Sequence, residues 1–188
     1  MGVLPRALWA KIAAMHDERS LAEAALARQD SDEGGVEDWP PVARRVLLAR
    51  ERAGLTQSDI AERLGIDITE YWDIEFHDDE AFNVFSLNQL AQVAGILGMS
   101  VETLLFGSDP AVPQARVSFA EITGRLVALA ERERLTTEEL SERIGWELKP
   151  ALANPQSVGD YNVAGLRDLC RAVGIDWMTA LPQATEDE

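Results

Sequence analysis

LTQSDIAERLGIDITEYWDIE, residues 55–75, is the stretch of sequence from which the fold can be predicted. Thr56 is a good N-cap residue, and small or apolar side chains then recur at helical spacing as far as Leu64. Gly65 supplies the backbone freedom that ends a helix, and a second helix is predicted from about Ile68. Two short helices joined by such a turn form a helix-turn-helix, whose second helix can enter a DNA major groove.

The residues around this motif complete a unit of five helices. Gly54 and Gly98 are placed to end the helices before and after it, and Val101 begins a short fifth helix. Residues 76–85 are interpreted as an acidic loop between the third and fourth helices. The side chains available to pack the second helix of the motif back onto the first are Tyr71, Trp72 and Ile74. For Trp72 the alternative is an exposed aromatic side chain that binds a partner.

The same plan occurs a second time further along the chain. LTTEELSERIG at residues 135–145 repeats LTQSDIAERLG at residues 55–65. The offset is 80 positions at this motif and 76 at the helix that follows, so the second copy is shorter by four residues. We assign the missing residues to the loop between its third and fourth helices. Pro150 and Pro155 bracket a third helix of about one turn, which is too short to read bases.

The remaining segments give the domain organisation. Residues 5–29 are rich in Ala, Leu, Glu and Arg and predict one long helix, either docked on the rest of the chain or used to dimerise or bind a partner. Residues 29–38 and 108–114 have linker composition. The predicted divisions are 1–38, N-terminal helix and acidic linker; 39–109, first unit; 115–182, second unit; and 183–188, acidic tail.

Composition narrows the classes of function. The 188 residues include 17 Lys plus Arg against 33 Asp plus Glu, a formal charge of -16, the opposite of what phosphate-binding proteins usually carry. Cys170 is the sole cysteine and rules out an intrachain disulfide. The N-terminus has no uninterrupted apolar run and no segment reaches membrane-spanning length, so a cytoplasmic protein is expected.

Nothing in the sequence predicts an enzyme, a metal site or a cofactor. A P-loop, a dinucleotide fingerprint and a nucleophile elbow are all absent from it. His77-Asp78-Asp79-Glu80 contains metal-ligand types, but consecutive residues rarely converge on one ion, so a solvated acidic loop is the expectation. Cys170 falls on the apolar face of a helix and is interpreted as a core residue.

Residues 39–109 resemble the phage-repressor and Cro type of helix-turn-helix domain, also called the xenobiotic-response-element type. The residues that carry the resemblance are Arg50, Gly54-Leu55-Thr56-Gln57, Ala61, Leu64-Gly65, Ile74-Glu75, Leu97-Gly98, Val101 and Leu104. The resemblance implies an all-α protein of two lambda-repressor-like five-helix units in tandem, the second degenerate, after a long N-terminal helix. It also implies a structural ion pair between Arg50 and Glu75, whose counterparts in the second copy are Ala130 and Pro155.

The resemblance implies a DNA-binding transcriptional regulator that needs no cofactor. It places Gln57 near a phosphate or base edge and the Ile68 side of the third helix in the groove. Cations of the unit occur on its first two helices alone, which makes Arg44 and Arg45 the candidates for backbone contact. The candidate DNA-binding residues are Arg44, Arg45, Gln57, Ser58, Thr69, Glu70 and Asp73. Repressors of this type commonly dimerise to meet two half-sites, so a homodimer is a further expectation.

The charge distribution supports an alternative function. No Lys or Arg lies between Leu64 and Ala115, whereas acidic residues concentrate on and after the third helix. The alternative is an acidic protein-interaction module, antitoxin-like, a DNA mimic or a subunit of a complex, that binds a basic protein partner. The candidate partner-binding residues are Asp73, Asp78, Asp79, Glu80 and Trp9.

Overall fold

A computed structural model describes residues 42–77, 79–107 and 115–184, and these residues are all-helical, which confirms that part of the predicted fold class. They belong to one compact unit, Trp39–Glu188. The predictions made for residues 1–38, for Asp78, for the linker 108–114 and for residues 185–188 fall outside the described residues, and Trp9 is among them.

The first half of this unit, residues 42–107, contains the helix-turn-helix, one helix before it and three helices after it. Its helices are α1 Val42–Ala53, α2 Gln57–Leu64, α3 Ile68–Phe76, α4 Glu80–Asn83, α5 Leu87–Ile96 and α6 Val101–Phe106. The segment 76–85, interpreted from the sequence as a loop, therefore contains the short helix α4.

The second half, residues 115–184, follows a similar order with shorter elements. Its α-helices are α7 Phe119–Glu133, α8 Thr137–Ile144, α9 Lys149–Ala153 and α10 Val163–Ala172, and two 3-10 helices cover Pro155–Asp160 and Trp177–Ala180.

The same local rules begin and end the corresponding helices in both halves. The Thr56 hydroxyl accepts from the amide of Asp59, whose carboxylate accepts from the Thr56 amide, and Thr136 and Glu139 repeat this capping box. These hydrogen bonds from Thr56 lower the pKa of Asp59. Gly65 ends α2 with a left-handed φ of 68°, a conformation in which a side chain would be strained. Thr56 and Gly65 therefore begin and end α2 as predicted.

The four residues missing from the second half are lost from the third helix and not from the loop after it. α3 has nine residues and α9 has five. The segments that lead to the fourth helices, 77–86 and 154–162, are nearly equal in length. The assignment of the gap to the loop was wrong because the two copies share no residue pattern there. A third helix of about one turn was correctly predicted, with Pro150 in that turn and Pro155 just beyond its end.

The two halves contact each other through equivalent residues. Ser86 and Asn162, the N-caps of α5 and α10, lie 76 positions apart and pair in an antiparallel bridge. The amide of Leu87 donates to the Tyr161 carbonyl at 2.8 Å. α5 contacts the 3-10 helix Pro155–Asp160, and α10 reciprocally contacts α4. Residues at corresponding positions of the two halves therefore meet at this interface, as they do in an isologous dimer.

One hydrophobic cluster of the described side chains extends through both halves, and an aromatic contact also joins them. Phe106 of α6 packs edge-on against Trp177 with ring centroids 5.9 Å apart. The nearby carboxylate of Glu102, buried in the first half, pairs with Arg116 at 2.6 Å. The halves therefore share one core, and each covers apolar surface of the other.

Cys170 lies in this core, as predicted, with no exposed surface. Burial, with a smaller contribution from the charge of Asp176, raises the pKa of its thiol to about 12. At pH 8 the thiolate fraction is then about one in ten thousand. We expect iodoacetamide to leave the native chain unlabelled at pH 8 and to label it within minutes in denaturant. Labelling of native Cys170 at the rate of free cysteine would contradict this.

Candidate functional site

A buried polar network fixes α3 against α1 and α2. Arg50 donates from Nε to Oε1 of Glu75 at 2.6 Å and from Nη2 to Oε2 at 3.0 Å, and both residues are buried. The third arm of the guanidinium, Nη1, donates to the Leu55 carbonyl at 2.9 Å. The hydroxyl of Tyr71 donates to Glu75 Oε1 at 2.8 Å. Burial and the charge of Glu75 raise the pKa of Tyr71, so its phenol remains protonated and serves as a donor.

Gln57 belongs to the same network. Its Nε2 donates to Oε2 of Glu75 at 2.8 Å, and the side chain is half-buried. The resemblance implies that this side chain meets a DNA phosphate or base edge. In the structure its amide donor points inward and completes the shell of the Glu75 carboxylate. This hydrogen bond uses one of the two N–H groups of the amide, and the other N–H and Oε1 meet no partner among the described residues.

The arginines expected at the DNA backbone differ in their availability. Arg45 donates from Nε to the Leu104 carbonyl at 3.0 Å and from Nη2 to the Leu105 carbonyl, so its guanidinium binds the C-terminal end of α6. Arg44 is exposed. Of these two candidates, Arg44 is the one whose side chain projects into solvent.

The N-terminus of α3 is occupied by a carboxylate from the chain itself. Oδ1 of Asp67 accepts from the amide of Thr69 at 2.8 Å and from its hydroxyl at 2.6 Å. These hydrogen bonds lower the pKa of Asp67, the one from the hydroxyl most. Helix N-termini are the usual place for phosphate binding, and here an anion already fills that role. Thr69 remains exposed, as does Ser58 in the first turn of α2.

The outward side of α3, which we call the α3 face, is made of Ile68, Thr69, Glu70 and Trp72, with Asp73 half-buried at its edge. Tyr71 and Ile74 pack inward as expected. Of the two alternatives for Trp72, core packing is wrong and exposure is correct, because 37% of its surface is exposed. Its ring packs edge-on against Phe76 with centroids 4.5 Å apart. Successive helical residues turn by about 100°, which places Trp72 beside Ile68 on the outer side.

The charges on and after α3 have different structural explanations. Glu70 lies in the first turn of α3 and Glu80 in the first turn of α4, where the helix dipole stabilises a carboxylate. The exposed Asp79 is the N-cap of α4. Asp73 lies in the middle of α3 and makes no ion pair or side-chain hydrogen bond with another described residue. Its carboxylate therefore has no local structural role within the described part of the chain.

The second half lacks the α3 face and the ion pair behind it. Ala130 replaces Arg50, and Pro155 lies beyond the end of α9, so the counterpart of Glu75 is not on that helix at all. The counterpart of Tyr71 is Ala151, which is fully buried. The two halves consequently present different surfaces at equivalent places.

Within residues 42–77, 79–107 and 115–184, His, Cys, Asp and Glu side chains form no group that could hold a metal ion. In the same ranges, every helix is too short or too polar to cross a bilayer. No protein-family model, no curated protein and no solved structure matches the chain.

Proposed function

We propose that the chain is a non-enzymatic regulatory protein built from two repressor-like helix-turn-helix units in tandem, and that the α3 face of the first unit binds a basic protein. The observation that carries the proposal is the charge of this face. Glu70 and Asp73 lie on or beside it, and the sequence supplies no Lys or Arg between Leu64 and Ala115. A duplex offers phosphates to such a surface, whereas a basic protein offers the cations that it lacks.

The hydrogen bonds around the site support the same choice. A duplex would accept hydrogen bonds from Gln57, from Arg45 and from the N-terminus of α3. Each of these groups already donates a hydrogen bond within the chain. Affinity for duplex DNA depends mainly on such donors and cations at phosphates.

Affinity capture from native cells tests the proposal. A tagged full chain is expected to retain a basic protein, and Asp73→Lys is expected to abolish the retention because it places a cation against the partner's cations. The matched control is Glu142→Lys, an equal charge change at an exposed position of α8. Loss of the partner with both variants, or with neither, would contradict a role for the α3 face.

Sequence-specific DNA binding is the second candidate, and the intact helix-turn-helix geometry favours it. α2 and α3 are capped and tied to α1 as a reading unit requires, and Arg44, Ser58 and Thr69 remain exposed. If DNA is the ligand, selection from a random duplex pool is expected to yield one short site. Binding to it should fall steeply with salt and weaken on Arg44→Ala. A selected duplex bound equally well by Asp73→Lys would replace the proposal above.

A further inference from the structure

We propose that the α3 face docks an amphipathic helix of its partner, with an apolar edge against Ile68 and Trp72 and a Lys- or Arg-bearing edge against Glu70 and Asp73. This inference rests on the proposed function and specifies the chemistry of the partner. It follows from the positions of the apolar and the acidic side chains on the exposed side of α3.

The apolar edge is a ridge of large side chains. Ile68 is 41% exposed and Trp72 37%, and they lie one turn apart on the same side of α3. The half-buried ring of Phe76 continues the line by its contact with Trp72. The indole Nε1–H of Trp72 meets no acceptor among the described residues and can donate to a partner. A ridge at this spacing packs into the groove between side chains of a second helix.

The acidic edge runs parallel to this ridge. At about 100° per residue, Asp73 lies next to the ridge, about 100° around the helix from Trp72, and Glu70 lies about 60° further round. Asp73 has no ion-pair partner among the described residues. A helix laid along α3 with its apolar side on Trp72 would bring its own polar edge next to Asp73, and Glu70 adds negative charge beyond it. Charge complementarity therefore requires that edge to be basic.

The two edges make separable contributions. Burial of Trp72 contributes mainly to the lifetime of the complex, since central aromatic residues dominate interface energetics. The carboxylates steer the encounter, and their effect falls with ionic strength. Substitutions on the two edges should accordingly change different rate constants.

The test measures binding of the full chain to a labelled synthetic helix of about 18 residues, with Leu on one face and Lys on the other. A scrambled peptide of the same composition has the same charge and no apolar face. We expect the amphipathic peptide to bind more tightly than the scrambled one, and Trp72→Ala to weaken its binding about 30-fold, mainly through faster dissociation. Trp72→Phe should retain most of the affinity. Asp73→Lys should mainly slow association, with a smaller effect at high salt.

The controls separate this inference from the proposed function. Val127→Ala removes an apolar side chain of similar exposure from α7 and should leave binding unchanged. Equal binding of the amphipathic and scrambled peptides, both weakened by Asp73→Lys, would overturn the docked helix and leave the basic partner standing. Failure of both peptides to bind at low salt would overturn both. Circular dichroism of Trp72→Ala verifies that the variant is folded.

Discussion

Replacing Glu75 with alanine is expected to lower the free energy of unfolding by about 3 to 5 kcal/mol. Glu75 accepts hydrogen bonds from Arg50, Tyr71 and Gln57, and Arg50 is buried with it. Its removal leaves the guanidinium without a counter-charge inside the protein and two neutral donors without their acceptor. Urea denaturation followed by circular dichroism measures the change, in a chain whose shared core predicts one cooperative transition.

Two further variants show that the loss comes from the unpaired charge. Glu70→Ala removes an exposed carboxylate from the same helix and should change stability by no more than about 0.5 kcal/mol. The double variant Arg50→Met, Glu75→Leu should be more stable than Glu75→Ala, because apolar side chains of similar size can replace a buried pair at little cost. If Glu75→Ala is as stable as Glu70→Ala, the network does not hold α3 in place.

The second large effect is expected on removal of the second half. A chain that ends at residue 109 loses the partners of Leu87 and Phe106, and apolar surface of α4 to α6 becomes exposed. Because equivalent residues meet across the interface, a second copy of the first half can occupy the vacant place. We therefore expect this shortened chain to form a dimer. Light scattering after gel filtration measures the mass.

The full-length chain serves as the control. We expect no dimer through this surface in the full chain, because the second half already covers it, and the homodimer expected from the family resemblance would have to form elsewhere. A stable monomer of the shortened chain, with an unchanged melting temperature, would show that the second half contributes little to the core of the first.

Local signals in the sequence predicted the helix ends. The side chains whose contacts differ from the prediction are held by residues distant in the sequence. Thr56 and Gly65 act through their own backbone, so a single sequence suffices to place them. Arg45, by contrast, binds carbonyls 59 and 60 residues away, and no local pattern encodes that contact. The Gln57 side chain points inward because it donates a hydrogen bond to the carboxylate of Glu75, 18 residues later.

Trp72 shows the same limit on a single helix. Periodicity identifies an apolar set on α3 but does not say which edge of that set faces the core, because Tyr71 and Trp72 are neighbours around the helix. Tyr71 is taken inward by its hydrogen bond to Glu75, which leaves Trp72 outside. The position of the four missing residues was likewise beyond the sequence, since only the helix lengths reveal that α9 is the shortened element.

The pairing of corresponding residues from the two halves also bears on the number of ligands that one chain can bind. Two identical subunits paired in this way would offer two identical docking helices and could cross-link two ligands. Here Ser86 and Asn162 bring the halves together as such a pair, but α9 has five residues where α3 has nine. One chain should therefore saturate at one equivalent of ligand, and its complexes should remain discrete and not grow into larger assemblies.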